Sequence, residues 1–319
     1  MSFKRLSPFI ATLLFSGIAV SQPPQQQEQQ GPPAGRGQQG PPGGRGQRPA
    51  RKQLLVWCET DGGGAYHESV NRAMAVLQNM GQVSGLFDAY LRTDSQLITK
   101  KPIVVNADGQ DWRNGRNLNW FDAIFFCGLR EIPLRDDQKA DLLSFVRDDG
   151  KGFIAAHAAD NAFLSWPDYA DMLGSNYDGH PWGQVEGRII NEDPKFPGMN
   201  EFPLSFTFND EMYQVSNFSR EKSRVLLRLD TASVDMKHQG VHRTDGDFPQ
   251  AWVKSYGKGR VFVCAFGHAS AVWDRPDIQG MWREAIKWAM GMTEADVTPR
   301  PMQPAPPASP AGGRGRGGN

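Results

Sequence analysis

The stretch GFIAAHAAD, residues 152–160, decides the fold of this 319-residue chain. Residues 152–156 form a short, continuous apolar run, the pattern of a strand covered on both faces in a parallel sheet. His157 follows directly and Asp160 comes three residues later, among alanines too small to cover either side chain. In an open parallel sheet, ligands bind beyond the carboxyl ends of the strands. The stretch therefore predicts an α/β fold whose sheet presents His157 to a ligand.

The segments around this stretch alternate between strand and helix patterns. Apolar runs and helical periodicity predict a strand at 54–58, a helix from 70 that ends at Gly81, strands at 85–91 and 121–127, a helix at 135–149, the strand at 152–156, and helices near 168–173 and 276–290. This alternation implies βαβ crossovers and a doubly wound parallel sheet. Further strands are predicted at 184–190, 224–229, 250–255 and 260–265, and the last two are expected to form a hairpin. These strands predict a β-rich insertion on one side of the sheet.

The two ends of the chain differ in composition from its centre. Residues 1–21 carry Lys4 and Arg5, an apolar run and then small residues, the order of a secretory signal peptide, so we predict a secreted or periplasmic protein. An uncleaved anchor is the alternative, but the run is short for a span of ~20 residues. Residues 22–53, rich in Gln, Pro and Gly, and residues 294–319, rich in Pro, Gly and Arg, are predicted to be disordered. Residues 54–293 are expected to fold without them.

The charge of the predicted domain limits its partners. Residues 54–293 carry 25 basic and 32 acidic side chains, a net charge of −7. An acidic body argues against nucleic acid and against anionic membranes as partners, and no membrane span is predicted after signal cleavage. The cysteines, Cys58, Cys127 and Cys264, lie near the ends of apolar runs, so we expect buried thiols rather than a disulfide framework.

Histidines follow several of the predicted strand ends. His67, His157 and His268 lie at or just after such ends, and His180 lies in the loop after the fourth predicted helix. Since neighbouring parallel strands end side by side, we expect His157, His180 and His268 to share one pocket, with Asp160 close by. For His157 the alternative is a structural role, bonded to a carbonyl or capping a helix. Its small neighbours favour an open imidazole that contributes little to folding.

Several segments of the chain resemble ThuA-like domains, a family named for trehalose utilisation. They occur in the family's order: AYHESV (65–70), GFIAAHAAD (152–160), WPDY (166–169) to GSNYDGHP (174–181), NDEMY (209–213), FPQAW (248–252) and YGKGRVFVCAFGH (256–268). The resemblance covers residues 54–292. It implies a flavodoxin-like three-layer sandwich similar to class I glutamine amidotransferases, in agreement with the element order. Those enzymes carry a nucleophilic cysteine where this chain has His157, so a thiolate mechanism is not expected.

The resemblance also implies a sugar ligand, because the family is associated with oxidised disaccharides. It adds Glu211 and Tyr213 to the candidate site. Two chemistries stay open: His157, His180 and His268 can hold a divalent metal such as zinc, or histidine with Asp160 or Glu211 can act as acid and base beside a keto-sugar carbonyl. Either chemistry predicts an enzyme that hydrolyses, eliminates or isomerises disaccharides or ketoglycosides.

The alternative is a non-catalytic carbohydrate-binding module on a degenerate amidotransferase-like scaffold. In that case tryptophans would serve as stacking platforms for sugar rings. For either function, the predicted substrate-binding residues are His67, Tyr213, Trp166 and Trp252, with Trp182 and Trp273 as further stacking candidates.

Overall fold

The computed structural model of the protein describes residues 51–58, 60, 67–107, 110–114 and 116–307. The predicted signal peptide lies outside the described residues, as do residues 22–50 of the predicted linker and residues 308–319. Within the described part of the chain, no helix is long and apolar enough to cross a membrane.

The described residues form thirteen strands and five α-helices. The strands are β1 (Lys52–Trp57), β2 (Phe87–Arg92), β3 (Ile103–Ala107), β4 (Gln110–Asn114), β5 (Ala123–Phe126), β6 (Gly152–Ala156), β7 (Asn176–Tyr177), β8 (Gln184–Asn191), β9 (Ser205–Glu211), β10 (Val215–Ser216), β11 (Arg224–Leu229), β12 (Phe248–Tyr256) and β13 (Gly259–Cys264). The helices are α1 (Ser69–Ser84), α2 (Asp136–Arg147), α3 (Pro167–Leu173), α4 (Ser270–Trp273) and α5 (Pro276–Ala289).

Nine strands form one mixed sheet in the order β2-β1-β5-β6-β13-β12-β11-β8-β9. In sheet order, the first five strands (β2, β1, β5, β6 and β13) pair in parallel. The four that follow (β12, β11, β8 and β9) each pair antiparallel with the strand before them. The α/β architecture and the predicted hairpin, β12 with β13, are confirmed. The predicted β-rich insertion extends the central sheet itself, because β12 pairs with the free edge of β13 and carries the other antiparallel strands with it.

Helices cover the sheet on both faces. Leu54 and Val56 of β1 belong to the core that α1, α4 and α5 share with one face. Leu55 and Trp57 belong to the core that α2 and α3 share with the other face. Because successive residues of a strand point to opposite faces, a strand with helices on both sides reads as a continuous apolar run. The result is the predicted three-layer sandwich.

Helix α1 continues beyond its predicted end at Gly81. The helix passes so close to β2 that a Cβ at Gly81 would lie 2.8 Å from the carbonyl oxygen of Phe87. Gly81 therefore permits close packing. The helix ends instead at Gly85, whose φ of 67° is the left-handed conformation common at helix ends.

Residues 294–307, which we call the C-terminal strap, lie against the antiparallel half of the sheet. The sequence predicted disorder for this segment. The Arg188 guanidinium donates to the carbonyl oxygen of Pro306 at 2.7 Å, and that of Arg224 donates to Asp296 at 2.8 Å. Ala295 and Val297 pack against the core. The strap's own sequence is too poor in apolar residues to predict that it is ordered. Its order depends on arginines of the body, which supply most of its contacts.

Candidate functional site

Strand β6 delivers His157 into the interior of the molecule. The residue has a left-handed φ of 51°, and its Nδ1 lies 2.7 Å from the carbonyl oxygen of Ala265, just after β13. Because a carbonyl can only accept, Nδ1 carries the proton and Nε2 keeps its lone pair. The side chain is buried, with 5% of the residue exposed. The open imidazole expected from the sequence is therefore wrong: the alanines are small, but neighbouring loops cover the ring.

Glu211, at the end of β9, lies among the imidazoles. Its carboxylate oxygens are 3.2 Å from His268 Nδ1, 3.6 Å from His157 Nε2 and 3.6 Å from His180 Nε2. The residue is buried, contrary to the exposed stretch that its acidic sequence suggested. Among the described residues, its Oε2 has no hydrogen-bond partner. A buried carboxylate without a donor is costly unless a ligand compensates it.

Four of these groups converge on one point. Ligand atoms of His67, His157, His268 and Glu211, here called the His–Glu cluster, all lie within 4.8 Å of one another. The ring of His67 lies 4.6 Å from that of His157 and 4.9 Å from that of His268, between centroids. The predicted metal set of His157, His180 and His268 therefore changes in one member. His67 takes the place of His180, whose Nε2 lies 3.6 Å from Glu211 but which is not part of the four-residue group.

Two imidazoles of the His–Glu cluster favour the neutral form that a metal ligand requires. Burial lowers the pKa of His157 well below its usual value, and it also lowers the pKa of His67. Neutral imidazoles with a carboxylate are a donor set for zinc and similar ions. Four tetrahedral ligands at ~2.1 Å from one zinc ion lie ~3.4 Å apart, so the widest pair of the cluster would have to close by up to ~1.4 Å to hold one.

Asp210, which is not among the residues predicted for the site, positions two members of the His–Glu cluster. Its carboxylate accepts the backbone N–H of Gly267 at 2.7 Å, of Glu211 at 2.9 Å and of His268 at 3.2 Å. These bonds fasten the end of β9 to the loop after β13. Burial raises the pKa of Asp210 to about 6 despite these donors. The adjacent acids 210 and 211 were visible in the sequence, but their burial was not.

Tyr213 is the buried hydroxyl of the site. It lies 3.2 Å from both ring nitrogens of His157, and burial raises its pKa well above the usual value, so the hydroxyl keeps its proton. A buried Gln250 side chain exchanges two hydrogen bonds with the Tyr213 backbone, at 3.1 and 2.8 Å. Tyr213 is thus a fixed hydrogen-bond donor beside the His–Glu cluster.

Asp160 does not orient His157, because the Ala265 carbonyl does so. Among the described residues, neither carboxyl oxygen of Asp160 has a hydrogen-bond partner, and 2% of the residue is exposed. Burial raises its pKa to about 8, so the carboxyl is mostly protonated at neutral pH. The sequence placed Asp160 near the site but could not give its protonation state.

The tryptophans predicted to bind sugar are structural. Trp252 is fully buried and donates from Nε1 to the Leu173 carbonyl at 2.9 Å. Trp166 is buried against Phe163 and Tyr169. Neither offers an open ring face, so these two predictions are wrong. Of the further candidates, Trp273 is buried and Trp182 is held at Nε1 by the Asp235 carbonyl.

A cavity of about 270 Å³, here called the site cavity, opens beside the His–Glu cluster. It is lined by His67, Leu129, Arg130, Ala158, Asn161, Tyr177, His180, Glu211 and Tyr213. The rings of His180 and Tyr177 stand around Tyr213, with centroids 6.0 and 4.9 Å from its own. Polar tips and aromatic rings together suit a small polyol. Arg130, Asn161 and Tyr177 were missed, although Arg130 follows a predicted strand end by the same rule that selected the histidines.

Two of the three cysteines are poorly suited to act as nucleophiles. Cys58, Cys127 and Cys264 are buried free thiols, as predicted. The pKa of Cys58 is raised well above its usual value by its contact with Cys127 and by burial, and burial raises that of Cys264. A thiol that resists ionisation is a poor nucleophile.

Comparison with known proteins agrees with this architecture. The family model ThuA, trehalose utilisation, matches residues 53–289. A ThuA-like protein from Bacteroides uniformis ATCC 8492 is similar, with 19% identity, a TM-score of 0.60, and coverage of 78% of this chain and 95% of that one. Another from Parabacteroides merdae ATCC 43184 has 17% identity and a TM-score of 0.55, covering 78% and 98%. No curated protein matches the chain.

Because their sequence identities are below 20%, the two solved structures support the fold alone. The family model covers most of the chain. The matched residues 53–289 contain every member of the His–Glu cluster and all residues that line the site cavity. The chain therefore belongs to the ThuA family.

Proposed function

We propose that the protein is a metal-dependent enzyme of carbohydrate metabolism that acts on disaccharides or ketoglycosides. The proposal rests chiefly on the His–Glu cluster, in which three imidazoles converge with a buried carboxylate whose Oε2 has no hydrogen-bond donor among the described residues. The family's association with trehalose utilisation supports a sugar as ligand. The signal-peptide pattern of residues 1–21 supports action outside the cytoplasm.

A divalent ion bound by His67, His157, His268 and Glu211 would polarise a sugar carbonyl or hydroxyl oxygen. The chain's own groups then divide the remaining work. Tyr213, held protonated by burial, donates a hydrogen bond to the oxygen on which charge develops. His180 lines the site cavity with its Nε2 3.6 Å from Glu211, and its imidazole is our candidate to accept a proton from the carbon next to that carbonyl. This arrangement favours elimination or isomerisation of a keto-sugar.

A non-catalytic binding module is less well supported. Its proposed stacking residues, Trp166 and Trp252, are buried, and a binding role alone does not account for a buried carboxylate surrounded by imidazoles.

The test is a metal analysis followed by an assay. Protein purified without chelators is expected to contain about one divalent ion per chain, and His268→Ala is expected to lose it. His242→Ala is the matched control, because His242 lies at the surface beside Asp178, outside the His–Glu cluster.

Turnover of keto-trehalose should disappear when the metal is stripped and return when it is restored. A wild-type protein that binds no metal, or whose turnover survives stripping, would contradict the proposal. Sugar binding without turnover in the metal-loaded protein would support the binding module instead.

A further inference from the structure

The backbone of Arg130 is held in an unusual conformation at the wall of the site cavity. Its φ is 65°, a left-handed value that is uncommon for residues other than glycine. Its N–H donates to the Asn161 carbonyl at 3.1 Å, and its own carbonyl accepts the N–H of Phe163 at 3.0 Å. Phe163 and His157 are also left-handed. Such conformations persist where the surrounding structure enforces them, and they concentrate at ligand sites.

The guanidinium of Arg130 lacks a counter-ion in the part of the chain that the structure describes. It is exposed and, among the described residues, makes no ion pair or hydrogen bond. By contrast, Arg220 and Arg224 are each paired with carboxylates at 2.6–2.9 Å. The acidic residue that lines the site cavity, Glu211, faces the imidazoles. Arg130 therefore lines the site cavity with a side chain that no described residue pairs.

We propose that Arg130 and Asn161 form an anion subsite in the site cavity, and that this subsite selects a sugar carrying a carboxylate. A guanidinium fork matches a carboxylate with two parallel hydrogen bonds, and the Asn161 amide adds a donor. The volume of about 270 Å³ lies below the ~300 Å³ of the smallest drug-sized pockets, so it suits a single sugar ring. The substrate class is therefore a sugar acid or the glycoside of one.

This inference depends on the proposed function only for the reaction that the bound sugar undergoes. Binding of a sugar carboxylate to the subsite requires no turnover and can be measured separately. The probe is D-glucuronate, compared with D-glucose by titration calorimetry at constant ionic strength. Wild-type protein is expected to bind glucuronate at least about tenfold more tightly, the effect of one charge-assisted pair. Arg130→Gln should lose this preference while its affinity for glucose stays the same. Lys237→Gln removes the same charge from an exposed site outside the cavity and should keep the preference.

Metal content and melting temperature are measured on every variant, which separates this inference from the proposed function. A glucuronate preference in metal-free wild type that Arg130→Gln abolishes supports the subsite even if the metal proposal fails. The inference is overturned if wild type does not prefer glucuronate, or if folded Arg130→Gln retains the preference. A preference that depends on the metal and not on Arg130 would also overturn it, because the carboxylate would then bind the ion.

Discussion

His157 combines a proposed role as metal ligand with a left-handed backbone, and the two can be separated by substitution. His157→Ala removes the ring and its bond to the Ala265 carbonyl but leaves the left-handed φ of 51°. His157→Gly removes the same groups and relieves the strain, since glycine adopts this conformation at little cost. We expect both variants to lose the metal, and the glycine variant to be the more stable by about 1 kcal/mol.

Urea denaturation of the two variants, with metal analysis on each, tests this expectation. Equal stability of His157→Gly and His157→Ala would mean that the strain is relaxed elsewhere, and retention of metal by either would remove His157 from the ligand set.

Asp160 should make the stability of the protein depend on pH. Its carboxyl loses a proton near pH 3.8 in the unfolded chain but near about 8 in the folded protein. Between these values the folded state holds one more proton, so the free energy of unfolding falls as pH rises, by about 1.4 kcal/mol per pH unit. Asp160→Asn, which mimics the neutral acid, should lose this contribution and be more stable than wild type at pH 8.

The free energy of unfolding is measured by urea denaturation from pH 5 to 8. The difference between variant and wild type is then plotted against pH, so that contributions from other titrating groups cancel. Asp168→Asn makes the same chemical change at an exposed position and should leave the slope unchanged. An Asp160→Asn variant with the wild-type slope would show that the carboxyl is ionised in the folded protein.

At the scale of elements, the junction between the end of β9 and the loop after β13 assembles the site. Asp210 accepts three backbone N–H groups there. In Asp210→Asn the amide presents an N–H₂ group to at least one of these donors, so a buried N–H loses its acceptor at a cost of about 1–3 kcal/mol. Since Glu211 and His268 lie on either side of this junction, we expect weaker metal binding although Asp210 is not a ligand.

Calorimetric titration with zinc, together with thermal melting, measures both effects. Asn209→Asp is the neighbouring control, because Asn209 is an exposed residue of the same strand that bonds Gln184. A normal zinc affinity in a destabilised Asp210→Asn would show that the junction supports the fold alone.

At the scale of the whole molecule, the folded unit ends later than its composition predicts. The C-terminal strap satisfies charged groups of the body: Glu192 accepts the Gln303 N–H at 3.3 Å, and Arg228 donates to the Gln303 carbonyl at 3.2 Å. A chain that stops at Thr293 should therefore lose roughly 2 kcal/mol, or about 4–8 °C in melting temperature. No strap residue lines the site cavity, so sugar binding should persist.

Scanning calorimetry of chains that stop at Thr293 and at Pro307 measures this loss, because the longer chain keeps the whole strap. Identical melting of the two would restore the boundary expected from composition.

The sequence predicted the parallel half of the fold because its strands are short apolar runs separated by helical periodicity. It predicted the convergence of His157 and His268 because both follow strand ends of one sheet. It missed β9, whose SFTFNDE alternates weakly, and hence the burial of Asp210 and Glu211. Trp252 was misassigned because composition does not show which side of a strand an aromatic ring occupies. The strap was missed because its partners are arginines distant in sequence.

The position of β13 in the sheet also has a consequence for biosynthesis. It lies between β6 of the parallel half and β12 of the antiparallel half, yet all eight other strands of that sheet precede it in the chain. While the ribosome is still making residues 259–264, β6 has an unpaired edge, and such edges recruit strands of other chains. The nascent protein therefore keeps a central strand edge unpaired until β13, the last of the described strands, is available to join the two halves.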